Sequence, residues 1–285
     1  MPAPAITFTL DLEDHRPSDR AELRYPMLTR RLLDQLDDIG VTGTVFVVGE
    51  VAADQPGLVR EVAERGHEVA LHGLYHRPLT ELSPEAFAED LRVGKARLED
   101  LVERPVEGFR APMFSLVRDS RWAVEILRDA GFTYSSSVLP ARSPLFGDPQ
   151  APPRPFRWPN GLPELPCPVA RVGPGKVPFL GGVYLRALPW AVVRAHLARR
   201  NDDDLLWIYC HPYDFDPDEP YWVVPEAGRI GSRLLWYGRR RAFARVRSLL
   251  AGRAGGPLGL RAAALSADLP EWRPPTGDPD GSRTS

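Results

Sequence analysis

Two short motifs combine carboxylates and imidazoles in a way that suits a metal ion. The stretch "DLEDH" puts Asp11, Glu13 and Asp14 at the end of an apolar run. The stretch "HGLYH" separates His72 from His76 by four positions, which lets both imidazoles address one metal ion from a single turn of chain. Two histidines and a carboxylate form a common divalent site with open positions for water, and such a site supports metal-assisted hydrolysis.

Two further motifs, "FRAP" and "YCHPY", add a guanidinium and a third imidazole. Arg110 can hold a catalytic carboxylate in place and keep it ionised, although an ordinary surface ion pair would use the same residue. His211 can serve as a general acid, and the alternative is a structural histidine with an acidic loop behind it. The plain alternative for the other pair is that His72 is a satisfied core residue and His76 a surface residue.

The phase of the predicted strands favours the chemical interpretation. Side chains alternate along a strand, so "ITFTLDLE" (6–13) presents its apolar residues on one face and Asp11 and Glu13 on the other. A layer of helices would cover the apolar face, which leaves both carboxylates pointing inward. The same alternation predicts an inward side chain at three further strand ends, those of His72, Arg110 and His211.

Strand-like and helix-like segments alternate along most of the chain. Predicted strands lie at 6–13, 41–49, 67–72, 106–112, 132–138 and 205–211. Predicted helices lie at 19–40 (which Pro26 can interrupt), 56–66, 83–102 (with Ser83 as N-cap), 119–130, 189–200 and 232–250. Residues 139–180 are rich in proline and irregular. This order predicts an α/β protein with a parallel sheet, and the lack of a glycine-rich phosphate motif favours a barrel over a doubly wound sheet, with its site at the C-terminal ends of the strands.

Length and composition set the remaining expectations. The 285 residues are predicted to form one catalytic domain over 1–267 and a disordered tail over 268–285. A net charge of −2 gives no electrostatic reason to expect nucleic acid or an anionic membrane. No apolar run is long enough to span a membrane and the N-terminus lacks the features of a signal peptide, so a cytoplasmic location is expected. The two cysteines provide no disulfide framework, and the oligomeric state is left open.

Together, the four motifs resemble those of the polysaccharide deacetylase family, that is, carbohydrate esterase family four with its NodB-type homology domain. The resemblance covers about residues 5–217, and "DLEDH" with "HPYDFDP" is closest to the branch associated with bacterial exopolysaccharide synthesis. It implies a distorted, TIM-like (β/α)₇ barrel that removes N-acetyl or O-acetyl groups with one divalent metal ion. Zn²⁺ is the expected ion, with Co²⁺, Ni²⁺ or Mn²⁺ as alternatives.

The resemblance also implies a role for each site residue outside the first motif. His72 and His76 would bind the metal together with a carboxylate of the first strand. Arg110 would orient a second carboxylate, which acts as the general base, and His211 would protonate the leaving amine.

The first motif departs from the family pattern, T-F-D-D-G, and so leaves the roles of its carboxylates open. Aligning the adjacent pair makes Glu13 the base and Asp14 the ligand, whereas members with D-x-D spacing would make Asp11 the base and Glu13 the ligand. We expect Asp14 as the ligand, with Asp11 and Glu13 as alternative bases. The family's fourth motif, D-x-x-D-W, has no clean counterpart, because "YSSSVLP" has Ser135 where related sequences often carry Asp.

The expected function is therefore hydrolysis of a carbon–nitrogen bond, namely deacetylation of an N-acetylated sugar or polysaccharide. One alternative is an amidohydrolase on the same barrel that acts on a small molecule such as a cyclic ureide. A second alternative is a pseudoenzyme that binds glycans, which the irregular fourth motif would fit. The expected partner is an acetylated carbohydrate.

Overall fold

The computed structural model describes residues 4–200, 204–225, 227–265 and 268–275. These residues form ten β-strands and ten α-helices. The strands are β1 Ile6–Leu12, β2 Thr44–Val47, β3 Glu68–Leu71, β4 Gly108–Phe109, β5 Tyr134–Ser135, β6 Phe156–Arg157, β7 Pro163–Glu164, β8 Ala170–Val172, β9 Gly175–Val177 and β10 Leu206–Cys210. The helices are α1 Tyr25–Asp37, α2 Gly49–Asp54, α3 Pro56–Glu64, α4 Pro84–Val102, α5 Ala123–Asp129, α6 Gly182–Ala187, α7 Trp190–Leu197, α8 Gly228–Trp236, α9 Ala242–Leu250 and α10 Leu258–Leu265.

Seven parallel strands form the main sheet, in the order β10-β1-β2-β3-β4-β5-β7, and β6 adds an antiparallel strand beside β7. The predicted fold class, a distorted (β/α)₇ barrel, is confirmed by this curled sheet of parallel strands with helices between them. Strand β10 comes late in the sequence and pairs with β1 along five residues, from Ile6↔Leu206 to Leu10↔Cys210. Because all seven strands run the same way, their C-terminal ends meet at one rim, where ligands bind in such folds.

Strand β1 separates two apolar cores by its alternation. Ile6, Phe8, Leu10 and Leu12 belong to the larger core, which they share with the surrounding helices. The opposite face of the sheet encloses a smaller inner core that includes Phe46, Ala70, Tyr134 and Trp207. The inward direction of Thr9, Asp11 and Glu13 follows from this division, and all three are buried.

Two of the predicted helices differ from the observed ones for physical reasons. The helix predicted over 19–40 begins only at Tyr25, and Pro26 lies in its first turn, where the missing N–H needs no partner, so it starts the helix rather than interrupting it. The segment predicted as one helix over 232–250 forms α8 and α9 instead, because Gly238 adopts φ 74° and turns the chain between them. The N-cap predicted for Ser83 is present, since its hydroxyl accepts a hydrogen bond from the Ala86 N–H at 3.2 Å.

Residues 268–275 do not follow the prediction of a disordered tail. The Trp272 ring packs against Phe156 and Trp158, with ring centroids 5.0 and 5.2 Å apart. Arg157 in β6 accepts a hydrogen bond from the Trp272 N–H at 2.8 Å and donates one to Pro270 O at 2.9 Å. One aromatic anchor and two backbone hydrogen bonds hold this stretch despite its polar composition. Residues 276–285, the rest of the predicted tail, lie outside the described residues.

No helix in the described part of the chain combines the length and the apolar character needed to cross a bilayer.

Gly43, just before β2, offers a test of how closely β1 and β2 pack. A methyl group at this position would overlap the backbone carbonyl oxygen of Phe8, which cannot move without disturbing β1. We expect Gly43→Ala to lower the free energy of unfolding by about 1–3 kcal/mol, the usual cost of overpacking. Gly57→Ala is the matched control, because a methyl group there meets no atom within 4 Å and should be neutral or stabilising. Urea denaturation of both variants gives the comparison, and equal stabilities would contradict this account.

Candidate active site

Three side chains at the rim of the barrel form a cluster suited to a metal ion. One ligand atom from each of Glu13, His72 and His76 lies within 4.8 Å of the others. Glu13 Oε2 lies 2.5 Å from His76 Nε2, and the two imidazole rings have centroids 5.1 Å apart. The cluster therefore presents two imidazole nitrogens and one carboxylate from the ends of β1 and β3, the donor set of many divalent sites.

Asp14, the expected ligand, points away from the histidines and toward solvent. Its side chain is 31% exposed and forms an ion pair with Arg16 at 2.7 Å. Strand β1 ends at Leu12, and the chain turns so that Glu13 keeps the inward phase of the strand while Asp14 faces outward. The structure thus favours the D-x-D alternative, in which Glu13 rather than Asp14 belongs with the histidines.

The protonation states of His72 and Glu13 suit a cation. His72 Nδ1 lies 2.9 Å from the carbonyl oxygen of Arg110, so the neutral ring donates its Nδ1–H there and leaves Nε2 as an acceptor. Burial, only partly offset by Asp11, lowers the pKa of His72 to about 4, so this ring is neutral at physiological pH. Burial alone would raise the pKa of Glu13, but His76, His211 and His72 outweigh it and keep that carboxyl well below its usual range.

The loops that carry the site contain strained backbone. Met113, Phe114 and His76 are non-glycine residues with φ of 53–55°, and only Glu103 shares this feature among the described residues. Such left-handed residues cost free energy and persist where the surrounding structure holds them, often at functional sites. The turn at His76 brings its ring back toward Glu13, so the strain serves to close the cluster.

A buried ion pair stands beside the cluster. Arg110, with no exposed surface, donates a hydrogen bond from Nη1 to Asp11 Oδ1 at 2.5 Å and another to Thr9 Oγ1 at 2.9 Å. The other side of the guanidinium contacts Ser136, whose carbonyl and hydroxyl oxygens accept hydrogen bonds at 3.2 Å. Its charge also lies over the rings of Phe46 and Trp207. Asp11 Oδ1 is therefore engaged, while Asp11 Oδ2 faces the site.

That second oxygen of Asp11 lies between two imidazoles. It is 3.9 Å from His72 Nε2 and 3.9 Å from His211 Nε2. The predicted site residues Asp11, Arg110 and His211 are thus brought to the same rim as the metal-type cluster, from the ends of β1, β4 and β10.

A second buried ion pair lies behind His211. Asp214 Oδ2 accepts hydrogen bonds from the backbone N–H of His211 at 2.9 Å and from its ring Nδ1 at 3.0 Å. Asp214 Oδ1 in turn accepts one from Arg186 Nη2 at 2.6 Å. Burial alone would lower the pKa of His211, but Asp214, with Glu13 and Asp11, raises it to about 9. His211 is therefore protonated at neutral pH, with Nε2 toward the site.

Three residues of this arrangement were not among the predicted ones: Asp214, Arg186 and Ser136. Asp214 follows His211 by three positions, and the spacing of a capping box after "HP" is the signal that would have identified it. It supplies His211 with a carboxylate partner although the fourth family motif is missing. Arg186 and Ser136 carry no such signal, because only the folded chain brings them near.

Fold and site together define a (β/α)-barrel protein with a histidine–carboxylate cluster beside separate acidic and basic groups. Residues 4–135 match the family described as "Polysaccharide deacetylase", and residues 136–254 match the family described as "Domain of unknown function (DUF3473)". The predicted resemblance to the polysaccharide deacetylase family is confirmed: its model matches residues 4–135, which contain three of the four motifs, and the fourth lies in residues 136–254.

Individual relatives support the same placement. The "Peptidoglycan deacetylase-like protein FGM2" of Gibberella zeae is 31% identical over 110 residues, 38% of this chain and 32% of that protein. The chain spans about a third or less of the first curated relatives it matches. A "putative polysaccharide deacetylase" from Mycobacterium smegmatis has a TM-score of 0.62 at 21% identity, covering 98% of this chain and 99% of its own. A protein described as "Puue Allantoinase" has a TM-score of 0.57 at 16% identity, covering 93% and 91%. At these identities the solved structures establish the fold.

The role of Asp214 can be measured directly on His211. We expect Asp214→Asn to lower the His211 pKa from about 9 toward the ordinary value of about 6.5, because the charge that stabilises the imidazolium is removed. An NMR titration of the ring protons gives both values. Asp218→Asn is the matched control, since Asp218 is exposed and only four residues from Asp214. An unchanged His211 pKa in Asp214→Asn would contradict the assignment.

Proposed function

We propose that the chain is a metal-dependent hydrolase that removes the acetyl group from an N-acetylated sugar. The observation that carries this proposal is the convergence, on one rim, of a metal-type cluster, a carboxylate with one free oxygen and a protonated histidine. Amide hydrolysis needs these three elements, namely an electrophilic centre, a proton acceptor and a proton donor.

The residues present fit a divalent ion. Glu13, His72 and His76 would hold it, because their donors converge and the His72 tautomer is already set by Arg110 O. When bound there, the ion would polarise the acetyl carbonyl and lower the pKa of a water molecule. Two imidazoles and one carboxylate fit Zn²⁺ and equally fit Co²⁺, Ni²⁺ or Mn²⁺.

Asp11 is the proposed general base. Arg110 holds Asp11 Oδ1 and fixes the orientation of the carboxylate, so Asp11 Oδ2 is the atom that accepts a proton from the attacking water. Because Glu13 is engaged with His76, it is the weaker candidate for this role.

His211 is the proposed general acid. Its Nε2 carries the proton and faces Asp11 Oδ2, while Asp214 holds the other nitrogen. After attack, this proton passes to the amine nitrogen as the bond to the acetyl carbon breaks. Asp214 keeps the acid protonated, and Arg110 holds the proposed base in place beside it.

The sugar substrate is supported by the match to the polysaccharide deacetylase family, because the barrel fold by itself does not specify a substrate. The family description and the Gibberella zeae relative both name deacetylases of polysaccharide or peptidoglycan. The fold alone is shared with a protein described as an allantoinase, so a cyclic ureide is the competing substrate class that the assay must include.

The assay measures acetate release from N-acetylated oligosaccharides and, in a separate reaction, hydrolysis of a cyclic ureide. We expect acetate release by the wild type and none by His72→Ala, which removes a proposed ligand. Hydrolysis of the ureide alone would overturn the sugar assignment, and a lack of turnover on both substrates by the metal-loaded protein would favour a glycan-binding pseudoenzyme.

The role of the base has its own test. We expect Asp11→Asn to lower kcat by about 10²–10⁴-fold, the usual contribution of a proton-transfer group, while metal content is retained. Asp218→Asn should leave kcat unchanged. Thermal unfolding of both variants shows whether the substituted side chain still stabilises the buried charge of Arg110. If Asp11→Asn loses metal in proportion to its loss of kcat, Asp11 is a ligand and not the base.

Metal analysis separates the two candidate ligands of the first motif. We expect Glu13→Gln to weaken metal binding by more than the roughly 10–100-fold typical of outer partners, because it removes a direct donor. Asp14→Asn should retain the metal, because Asp14 pairs with Arg16. Elemental analysis after dialysis against the metal measures both, and the reverse pattern would restore the adjacent-pair alignment.

A further inference from the structure

Helix α8 exposes an apolar face. Ile230, Leu234 and Tyr237 follow one another at intervals of four and three residues, so they share one side of the helix and its end. Their exposed fractions are 79%, 48% and 51%. Including Tyr221 and Val223, five of the ten large apolar side chains exposed in the described residues lie in this short segment. Such a concentration marks an interaction surface.

The surroundings of this face are basic. Residues 221–241 contain five arginines and a single acidic residue, in a chain whose net charge is −2. Arg229, Arg233, Arg240 and Arg241 are exposed, and Arg239 is the one arginine of the segment with an ion pair among the described residues. Arg229 and Arg233 each precede a residue of the apolar face, so cations border it.

The opposite side of α8 holds the helix on the protein. Ser232 is fully buried, accepts a hydrogen bond from the Val224 N–H at 2.9 Å and donates one to Gly228 O at 2.6 Å. Trp236 donates from Nε1 to Glu219 O at 3.1 Å. Because these contacts fix the orientation of α8, its apolar face points to solvent in the folded protein.

Consecutive ring contacts connect α8 with the proposed general acid. The ring of Tyr213 stacks on His211, with centroids 4.7 Å apart, and contacts His15 at 4.1 Å. Trp222 continues the series at 5.0 Å from His15, and Trp236 lies 6.2 Å from Trp222. The exposed face is therefore on the side of the barrel where the active site opens. Beside it, Pro217 and residues 236–241 line an open recess of about 260 Å³.

We propose that residues 221–241 form a docking surface for an anionic phospholipid bilayer. Ile230, Leu234 and Tyr237 would lie at the boundary between headgroups and acyl chains, and the surrounding arginines would contact lipid phosphates, as in helices that lie in the plane of a membrane. Charge complementarity selects this occupant, since a second copy of the chain would place like charges against each other.

Docking would bring the active site to the membrane surface. Resting on the proposed function, this placement selects acetylated glycans that are linked to or held at a membrane over freely diffusing ones. The docking itself does not depend on catalysis, so its test measures binding and leaves the proposed function untouched if it fails.

The test is co-sedimentation of the full chain with two kinds of vesicle, phosphatidylcholine alone and a mixture with phosphatidylglycerol. We expect binding to the mixed vesicles that weakens as salt rises, and little binding to the neutral ones. Ile230→Ser combined with Leu234→Ser, and separately Arg229→Glu combined with Arg233→Glu, should each weaken binding at least about tenfold.

Matched controls change the same residue types elsewhere. Leu260→Ser removes a side chain that is 71% exposed on α10, at the opposite end of the barrel, where the adjacent Gly259 N–H binds Glu68. Arg60→Glu reverses an exposed charge on α3. Both controls should bind like the wild type, and all variants should release acetate from a soluble oligosaccharide at the wild-type rate.

Several results would overturn the proposal. These are no binding to mixed vesicles at low salt, equal binding to both vesicle types, or equal losses in the controls and the α8 variants. A wild-type dimer by light scattering that the Ile230/Leu234 variant abolishes, without lipid binding by either protein, would assign the face to self-association instead.

Discussion

The ion pair between Asp11 and Arg110 is the constraint on which the rest of the site depends. A charge with no exposed surface is costly unless its hydrogen bonds are made, and here Thr9, Asp11 and Ser136 accept from Arg110 while Phe46 lies against its plane. Such a pair adds little net stability, but removing one partner would leave the other buried and unpaired. What it provides is one orientation of one carboxylate, with a single oxygen turned to the site.

A second buried arginine–carboxylate ion pair lies behind His211, and there it favours the protonated form of the group that faces the site. Arg110 pairs directly with Asp11 and fixes the orientation of the proposed proton acceptor. Arg186 pairs with Asp214, which in turn keeps the imidazole of His211 protonated. The proposed acid and base thus lie 3.9 Å apart, one held directly by an arginine and the other held through a carboxylate.

The order of strands and helices along the chain predicted the fold class, and side-chain alternation along β1 predicted the inward direction of Asp11 and Glu13. The expectation of Asp14 as ligand came instead from aligning the family's adjacent Asp pair, and it failed because the chain turns after Leu12 and Asp14 pairs with Arg16. Nor could sequence reveal Arg186, whose partner lies on a different element. The segment after residue 268 was misjudged because composition averages over a stretch, whereas one Trp272 ring decides its position.

The pairing of β1 with β10 gives the site a fixed order of assembly. As the chain emerges from the ribosome, the carboxylates on β1 and the histidine pair are made first, and residues 206–210 follow well over a hundred residues later. Until then β1 has an unpaired edge, and His211, the proposed proton donor, has not yet been made. Under the proposed mechanism, a nascent chain therefore contains the proposed metal donors before it can break an amide bond, and activity begins only when the last parallel strand pairs with the first.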